Sequence, residues 1–171
     1  MRVAFRIVTA TADDAAAVAA VRNAAAEHLT TVHGPGGWSG MIGEAGALRG
    51  INSSRVLVAY EEHAIVGTLR LATRKPWAID LTCFAAAERP LYLVDMAVAP
   101  GVQRRGIGRL LLEAAVRTAE GWKADAIRLD AYDHPAGAGP FYEKCGFTEV
   151  GRSSYRAVSL IYYQLLLGGP S

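Results

Sequence analysis

The sequence predicts an α/β fold (α+β in its mixed sheet): one domain over residues 1–171, with about seven strands and about four helices. Three observations predict it. The hydrophobic periodicity changes along the chain in the order β-α-α-β-β-β-α-β-α-β-β, which is neither all-helical nor all-strand. One stretch, Leu91-Tyr92-Leu93-Val94-Asp95-Met96-Ala97-Val98, is nearly all apolar, as a central strand covered on both faces would be. Finally, 171 residues with 51% apolar content suffice for one core, and no repeat or linker divides them.

The elements follow in order. Residues 3–9 read as a first strand. Thr11-Ala12-Asp13-Asp14 opens a helix: Thr11 can accept from the amide three residues on, and the acids suit the positive helix end. Val18, Val21, Ala25 and Leu29 continue it at helical spacing. The glycine-rich run from His33 to Gly40 stops it, and a weaker second helix is expected over 39–49. Strands near 54–60 and 63–72 flank a turn at Glu61-Glu62-His63, which lacks the Asn-Gly hairpin signal. Residues 74–90 form a looser insertion. After the central strand, Ile107, Leu110, Leu111 and Ala114 mark the apolar face of a third helix, and Arg109, Glu113 and Arg117 are spaced for ion pairs. A strand over 126–132, a short helix over 137–145 stopped by Gly146, and strands over 147–150 and 155–167 complete the chain.

Composition narrows the function. Eighteen basic and sixteen acidic residues leave a net charge of +2, which is no nucleic-acid footprint. Two cysteines do not make a disulfide framework, and Cys145 reads as a small buried residue. The first residues lack a signal peptide's apolar run, and no stretch is long enough to span a membrane. The expectation is a soluble, cytoplasmic protein that binds neither membrane nor nucleic acid. Four scattered histidines show no metal-ligand spacing, so no metal is expected.

The chemistry concentrates at Gln103-Arg104-Arg105-Gly106-Ile107-Gly108, where the central strand hands over to a helix. Glycines there let a ligand reach the backbone. The first helical amides lack carbonyl partners and carry the positive dipole end, which suits a pyrophosphate. Arg104, Arg105 and Arg109 add charged donors. A dinucleotide-binding turn would also use glycines, but in the first βαβ unit and with a third glycine that is absent here. A second segment, Phe141-Tyr142-Glu143-Lys144-Cys145-Gly146-Phe147, follows the next strand.

Together, in this order and spacing, the two segments resemble the GNAT superfamily of N-acetyltransferases. Gln103, Gly106 and Gly108 match its Gln/Arg-x-x-Gly-x-Gly/Ala motif; Tyr142, Gly146 and Phe147 match its Tyr-x-x-x-Gly-Phe signature. The resemblance is sharp over 91–150 and implies a mostly antiparallel sheet of the acyl-CoA N-acyltransferase type, split at its central strand. It implies acetyl-CoA as cofactor. Main-chain groups near Met96, Ala97 and Val98 would then pair with the pantetheine arm, and amides from Arg104 to Arg109, Ile107 included, would hold the pyrophosphate. Tyr142 would protonate the departing thiolate. Ala138 matches the family's small residue, whereas Pro135 stands where relatives often carry an asparagine that contacts the cofactor arm.

The acceptor would be a small-molecule or peptide amine. A lysine-like amine is almost wholly protonated at neutral pH, so a general base helps. Positions 92 and 94, where some relatives carry that carboxylate, are Tyr92 and Val94. Asp95 is the nearest acid, although strand alternation points it to the other face unless a bulge turns it. Asp130 and His134, with Tyr132 and Asp133, cluster where α/β sheets favour ligands. Trp38, with His33, Gly36 and Gly37, forms another candidate acceptor wall, to which Trp77 and Tyr92 could add aromatic surface. Pairing of two copies into a homodimer is compatible with the sequence but not fixed by it. A catalytically weak acyl-CoA-binding module is the alternative.

Overall fold

The computed structural model describes residues 4–168; Val3, expected in the first strand, lies outside them. Seven strands form a mixed sheet, β1 (Phe5–Thr9), β2 (Arg55–Glu61), β3 (Ala64–Ala72), β4 (Pro90–Val98), β5 (Ala126–Tyr132), β6 (Thr148–Tyr155) and β7 (Val158–Leu166). Four helices accompany them, α1 (Ala15–His33), α2 (Glu44–Ser53), α3 (Ile107–Gly121) and α4 (Gly139–Lys144). The strand order is β1-β2-β3-β4-β5-β7-β6. The β1–β2, β2–β3, β5–β7 and β6–β7 ladders are antiparallel. The β4–β5 ladder is parallel and short, running over Pro90–Tyr92 against Ala126–Arg128.

The chain forms two compact units, residues 4–71 with Asp95–Ala115, and Ala72–Val94 with residues 116–168. In the first, Ala15, Val18 and Ala19 of α1 and Ala47 of α2 close over Val56 and Val58 of β2. Thr11 and Asp14 form a capping box at the start of α1. Asp14 accepts from the Thr11 N–H at 2.8 Å and from the Thr11 hydroxyl, so the acid caps backwards, and its other oxygen accepts from the Tyr60 hydroxyl at 2.6 Å. Helix α2 begins five residues later than expected. It is held by Asn23 of α1, whose amide donates to Ile42 C=O and accepts from Ile42 N–H, both at 2.8 Å.

On α3 the buried residues are Ile107, Leu111, Leu112, Ala114, Ala115 and Ala119. Leu110, expected on that face, is 37% exposed. Among the described residues Arg109, Glu113 and Arg117 make no ion pair. Gly67 of β3 lets the first turn of α3 approach: a Cβ there would lie 3.0 Å from both Ile107 and Leu111.

In the second unit Ile79, Tyr92, Leu160 and Tyr162 form one core cluster. The insertion expected to be loose is pinned to it. The Tyr162 hydroxyl donates to Ala78 C=O, Arg128 donates to Ala85 C=O at 2.7 Å, and Asp125 accepts from the Glu88 and Arg89 amides. The last hairpin turns at Arg156-Ala157, both with left-handed φ (49° and 64°).

Candidate active site

The turn after β4 meets the needs of an anion cradle. Pro100–Val102 make one 3-10 turn, and Gln103 ties back to the strand by donating from Nε2 to Val98 C=O at 3.1 Å. Arg104 and Gly106 both have left-handed φ, 65° and 86°. The first i→i−4 bond of α3 runs from Leu110 N–H to Gly106 C=O at 3.1 Å. The N–H groups of Ile107, Gly108 and Arg109 therefore have no carbonyl inside the helix and carry its positive end. A Cβ built on Gly106 meets nothing within 4 Å, so the space above this backbone is open. The surroundings fit a diphosphate.

The flanking arginines differ in use. Arg105 donates to the Glu61 carboxylate at 2.7 Å and lies 5.0 Å over the Phe5 ring, so its head is committed within the fold. Arg104 and Arg109 are exposed and make no ion pair among the described residues. Met96, Ala97 and Val98 form the end of β4, with Ala99 N–H bonded to Val66 C=O at 2.8 Å.

In the second unit, α4 carries Tyr142. Gly137 permits the approach to it, since a Cβ there would stand 2.0 Å from Tyr132 C=O. Gly139 lies under the Tyr163 hydroxyl, Ala138 is the exposed N-cap, and Gly146 ends the helix with φ 96°. Tyr142 is 6% exposed. Phe141, Phe147 and Tyr163 surround its ring at centroid distances of 5.4, 5.7 and 6.3 Å. Burial pushes its phenol well above the ordinary tyrosine value, with the charge of Asp130 and then Cys145 adding to the effect. Tyr163 is pushed up to about 12, by burial and then by Glu143, to which it donates at 3.2 Å.

These two phenols set an expected alkaline instability. An unfolded tyrosine ionises near ~10, whereas the folded phenols keep their protons. Above that pH the unfolded chain binds fewer protons, so stability falls as pH rises, by up to ~1.4 kcal/mol per pH unit for each tyrosine. Urea unfolding between about pH 9 and about pH 11.5 checks this, and Tyr142→Phe is expected to remove that residue's share of the slope while Tyr163 and Tyr60, whose phenol is raised by its bond to Asp14, keep theirs. An unchanged slope would exclude Tyr142 as a source.

The acceptor candidates divide. Tyr92 is corrected: at 4% exposed it packs with Ile79, Leu160 and Tyr162 and accepts from Arg128 at 3.3 Å, so it offers no aromatic wall. Cys145 is half-buried rather than buried. Trp38 folds back on its own turn, donating to Gly34 C=O at 3.0 Å and meeting the His33 ring edge-on. His134 is exposed and accepts from Ala136 N–H at 2.9 Å. Asp130 is half-buried on β5, and its charge reaches Tyr142.

Asp95 has a left-handed φ of 56°, which breaks the strand alternation. One oxygen accepts from Arg22 Nη2 at 3.0 Å and the other from Arg70 Nε at 2.9 Å. With Arg49 these residues line a cavity of about 450 Å³ in the first unit, between α1, α2 and β3. The sequence reading missed the three arginines. Two local signals mark them: an arginine inside the apolar run Val66–Leu71, and two glycines, Gly46 and Gly50, four apart within a ten-residue helix. Each interior glycine costs about 0.5–1 kcal/mol against alanine.

A family model described as the acetyltransferase (GNAT) domain matches residues 52–149. The chain belongs to the GNAT acetyltransferases. Solved structures share the fold of this acetyltransferase. The ribosomal-protein-S18-alanine N-acetyltransferase of Escherichia coli superposes with a TM-score of 0.73 at 17% identity, over 98% of this chain and 97% of that one. The protein yncA of Salmonella typhimurium, solved with its cofactor acetyl-CoA, gives 0.71 at 20% identity over 98% and 96%. The paia N-acetyltransferase of Thermoplasma acidophilum, in complex with coenzyme A, gives 0.70 at 14% identity over 93% and 98%. At these identities the likeness establishes the fold, not the acceptor. Among the described residues of this GNAT acetyltransferase no helix is long and apolar enough to cross a membrane.

Proposed function

We propose that this GNAT acetyltransferase works as one domain and transfers acetyl from acetyl-CoA to a primary amine by direct attack in a ternary complex. The observation that carries the proposal is the cradle: open amides of Ile107, Gly108 and Arg109 beside a left-handed Gly106. The N–H groups from Arg104 to Arg109 hold the diphosphate, with the exposed heads of Arg104 and Arg109 adding charge. Main-chain groups of Met96, Ala97 and Val98 align the pantetheine arm, and Ala138 leaves it room. The bound cofactor supplies an activated acetyl thioester. A main-chain N–H on β4 stabilises the charge that develops on the carbonyl oxygen. Tyr142, protonated at every working pH because of its burial, donates to the leaving sulfur.

Asp95 is the base: it takes the proton that the attacking amine loses, directly or through water. Each of its oxygens keeps a lone pair beyond the one that Arg22 or Arg70 uses. Asp130, His134 and Trp38 remain proposed neighbours of the acceptor.

Thiol release from acetyl-CoA across an amine panel tests the proposal. Arg104→Ala is expected to raise the KM for acetyl-CoA about threefold to tenfold at low salt, and less at high salt, because a charge-assisted contact to phosphate is lost. Arg105→Ala is expected to have the smaller effect, since that head is already paired. Because positions 92 and 94 carry no acid, a second reading is an acyl-CoA-binding module without catalysis. Tight acetyl-CoA binding with no thiol release on any amine would favour it.

A further inference from the structure

The cavity beneath α2 has a charge pattern that the general chemistry of acetyl transfer does not require. Arg22, Arg49 and Arg70 line it against a single carboxylate, Asp95. Asp95 neutralises one guanidinium equivalent while bonding to two. Arg49 is exposed and makes no ion pair among the described residues, so the cavity has cationic charge in excess. Its arginines come from three elements, α1, α2 and β3, and converge on one space.

That space is kept clear by the backbone. Gly46 and Gly50, one turn apart on α2, both line it. A Cβ on Gly50 would lie 3.3 Å from Arg70 Cδ and 3.8 Å from its Nε; one on Gly46 would lie 2.8 Å from Ile42 Cγ1 and 3.6 Å from Arg49 Nη2. A side chain at Gly50 would crowd the stem of Arg70, and one at Gly46 would crowd Ile42 at the cavity wall. Gly50 in particular leaves Arg70 uncovered on the side that lines the cavity.

We infer that this cavity binds an anionic group carried by the acceptor, so that the acceptor is a small amino-carboxylate or amino-phosphate rather than a neutral amine or a polycation. This rests on the transferase proposal above. The planar fork of Arg49 suits either oxyanion, Arg70 adds charge and its remaining Nη2 donors beside it, and the free lone pairs of Asp95 serve the ammonium end of the same molecule. A polyamine would meet unpaired positive charge and be repelled.

The test uses matched pairs: L-amino acids against their amides, and O-phosphoethanolamine against ethanolamine. In the wild-type protein the anionic member of at least one pair is expected to show a kcat/KM about tenfold or more above its neutral partner, and Arg49→Gln is expected to cut that preference about tenfold, as loss of a charge-assisted hydrogen bond would. Which pair responds separates carboxylate from phosphate. Arg49→Lys, which keeps charge but not the fork, is expected to restore part of the preference. Calorimetric titration of the coenzyme A-saturated protein with the same compounds reads binding without turnover. Binding of the anionic member weakened by Arg49→Gln, with no turnover on any compound, would keep the cavity and remove the transferase proposal. Equal turnover or binding of neutral and anionic members, no binding of any member, or a preference untouched by Arg49→Gln would overturn the inference.

Discussion

Replacing Tyr142 by phenylalanine is expected to lower kcat about 100-fold to 1,000-fold while leaving the KM for acetyl-CoA within about twofold of wild type. The substitution keeps the ring among Phe141, Phe147 and Tyr163 and removes only the hydroxyl. Loss confined to kcat is the signature of an interaction made chiefly in the transition state. Burial holds this phenol protonated, so the wild-type rate is expected to show no decline from Tyr142 ionisation as pH passes the ordinary tyrosine value. Stopped assays over a pH series in both proteins check the two statements together. A variant turning over within about threefold of wild type would remove Tyr142 from the chemistry.

The second large effect is expected at Gly106. Valine there would carry a β-branched side chain at φ 86°, where such residues are genuine outliers. The backbone strain costs about 1–3 kcal/mol of stability, but a Cβ there would meet no atom of the surrounding protein within 4 Å. It would instead fill the open space over the amides of α3. Gly106→Val is therefore expected to raise the KM for acetyl-CoA by about 100-fold, with kcat at saturation within about threefold. Binding measured directly by calorimetry should fall in parallel. Normal affinity would mean that the diphosphate lies elsewhere. Gly137→Ala offers a contrast: its Cβ would sit 2.0 Å from a main-chain oxygen, so there the loss should appear in folding first.

What could be seen in the sequence was what local chemistry specifies. The cradle was legible because its glycines, its arginines and a helix start lie within seven residues. The short helix that carries Tyr142 was legible because Gly146 ends it at once. Helix α2 was misplaced because Gly40, Gly43, Gly46 and Gly50 blur its start, and the clamp that fixes it comes from Asn23, nineteen residues away. The boundary between β6 and β7 was obscured because Arg156-Ala157 takes left-handed angles without the glycine or asparagine that usually announces them. The cavity was hidden for a different reason. Arg22, Arg49, Arg70 and Asp95 stand on four elements, and only the folded chain gathers them. Tyr92 shows the converse: an aromatic at a promising position became core, because position along a strand does not say what covers it.

The left-handed backbone at Asp95 bears on how such a protein changes over generations. Aspartate, asparagine and glycine are the residues that accept this conformation with least strain, and their codons are single nucleotide steps from aspartate's. A lineage can therefore replace Asp95 without straining the strand, but only by giving up the carboxylate that Arg22 and Arg70 share. What the main chain tolerates at this position is in this way separated from what the chemistry asks of it, by a single base change.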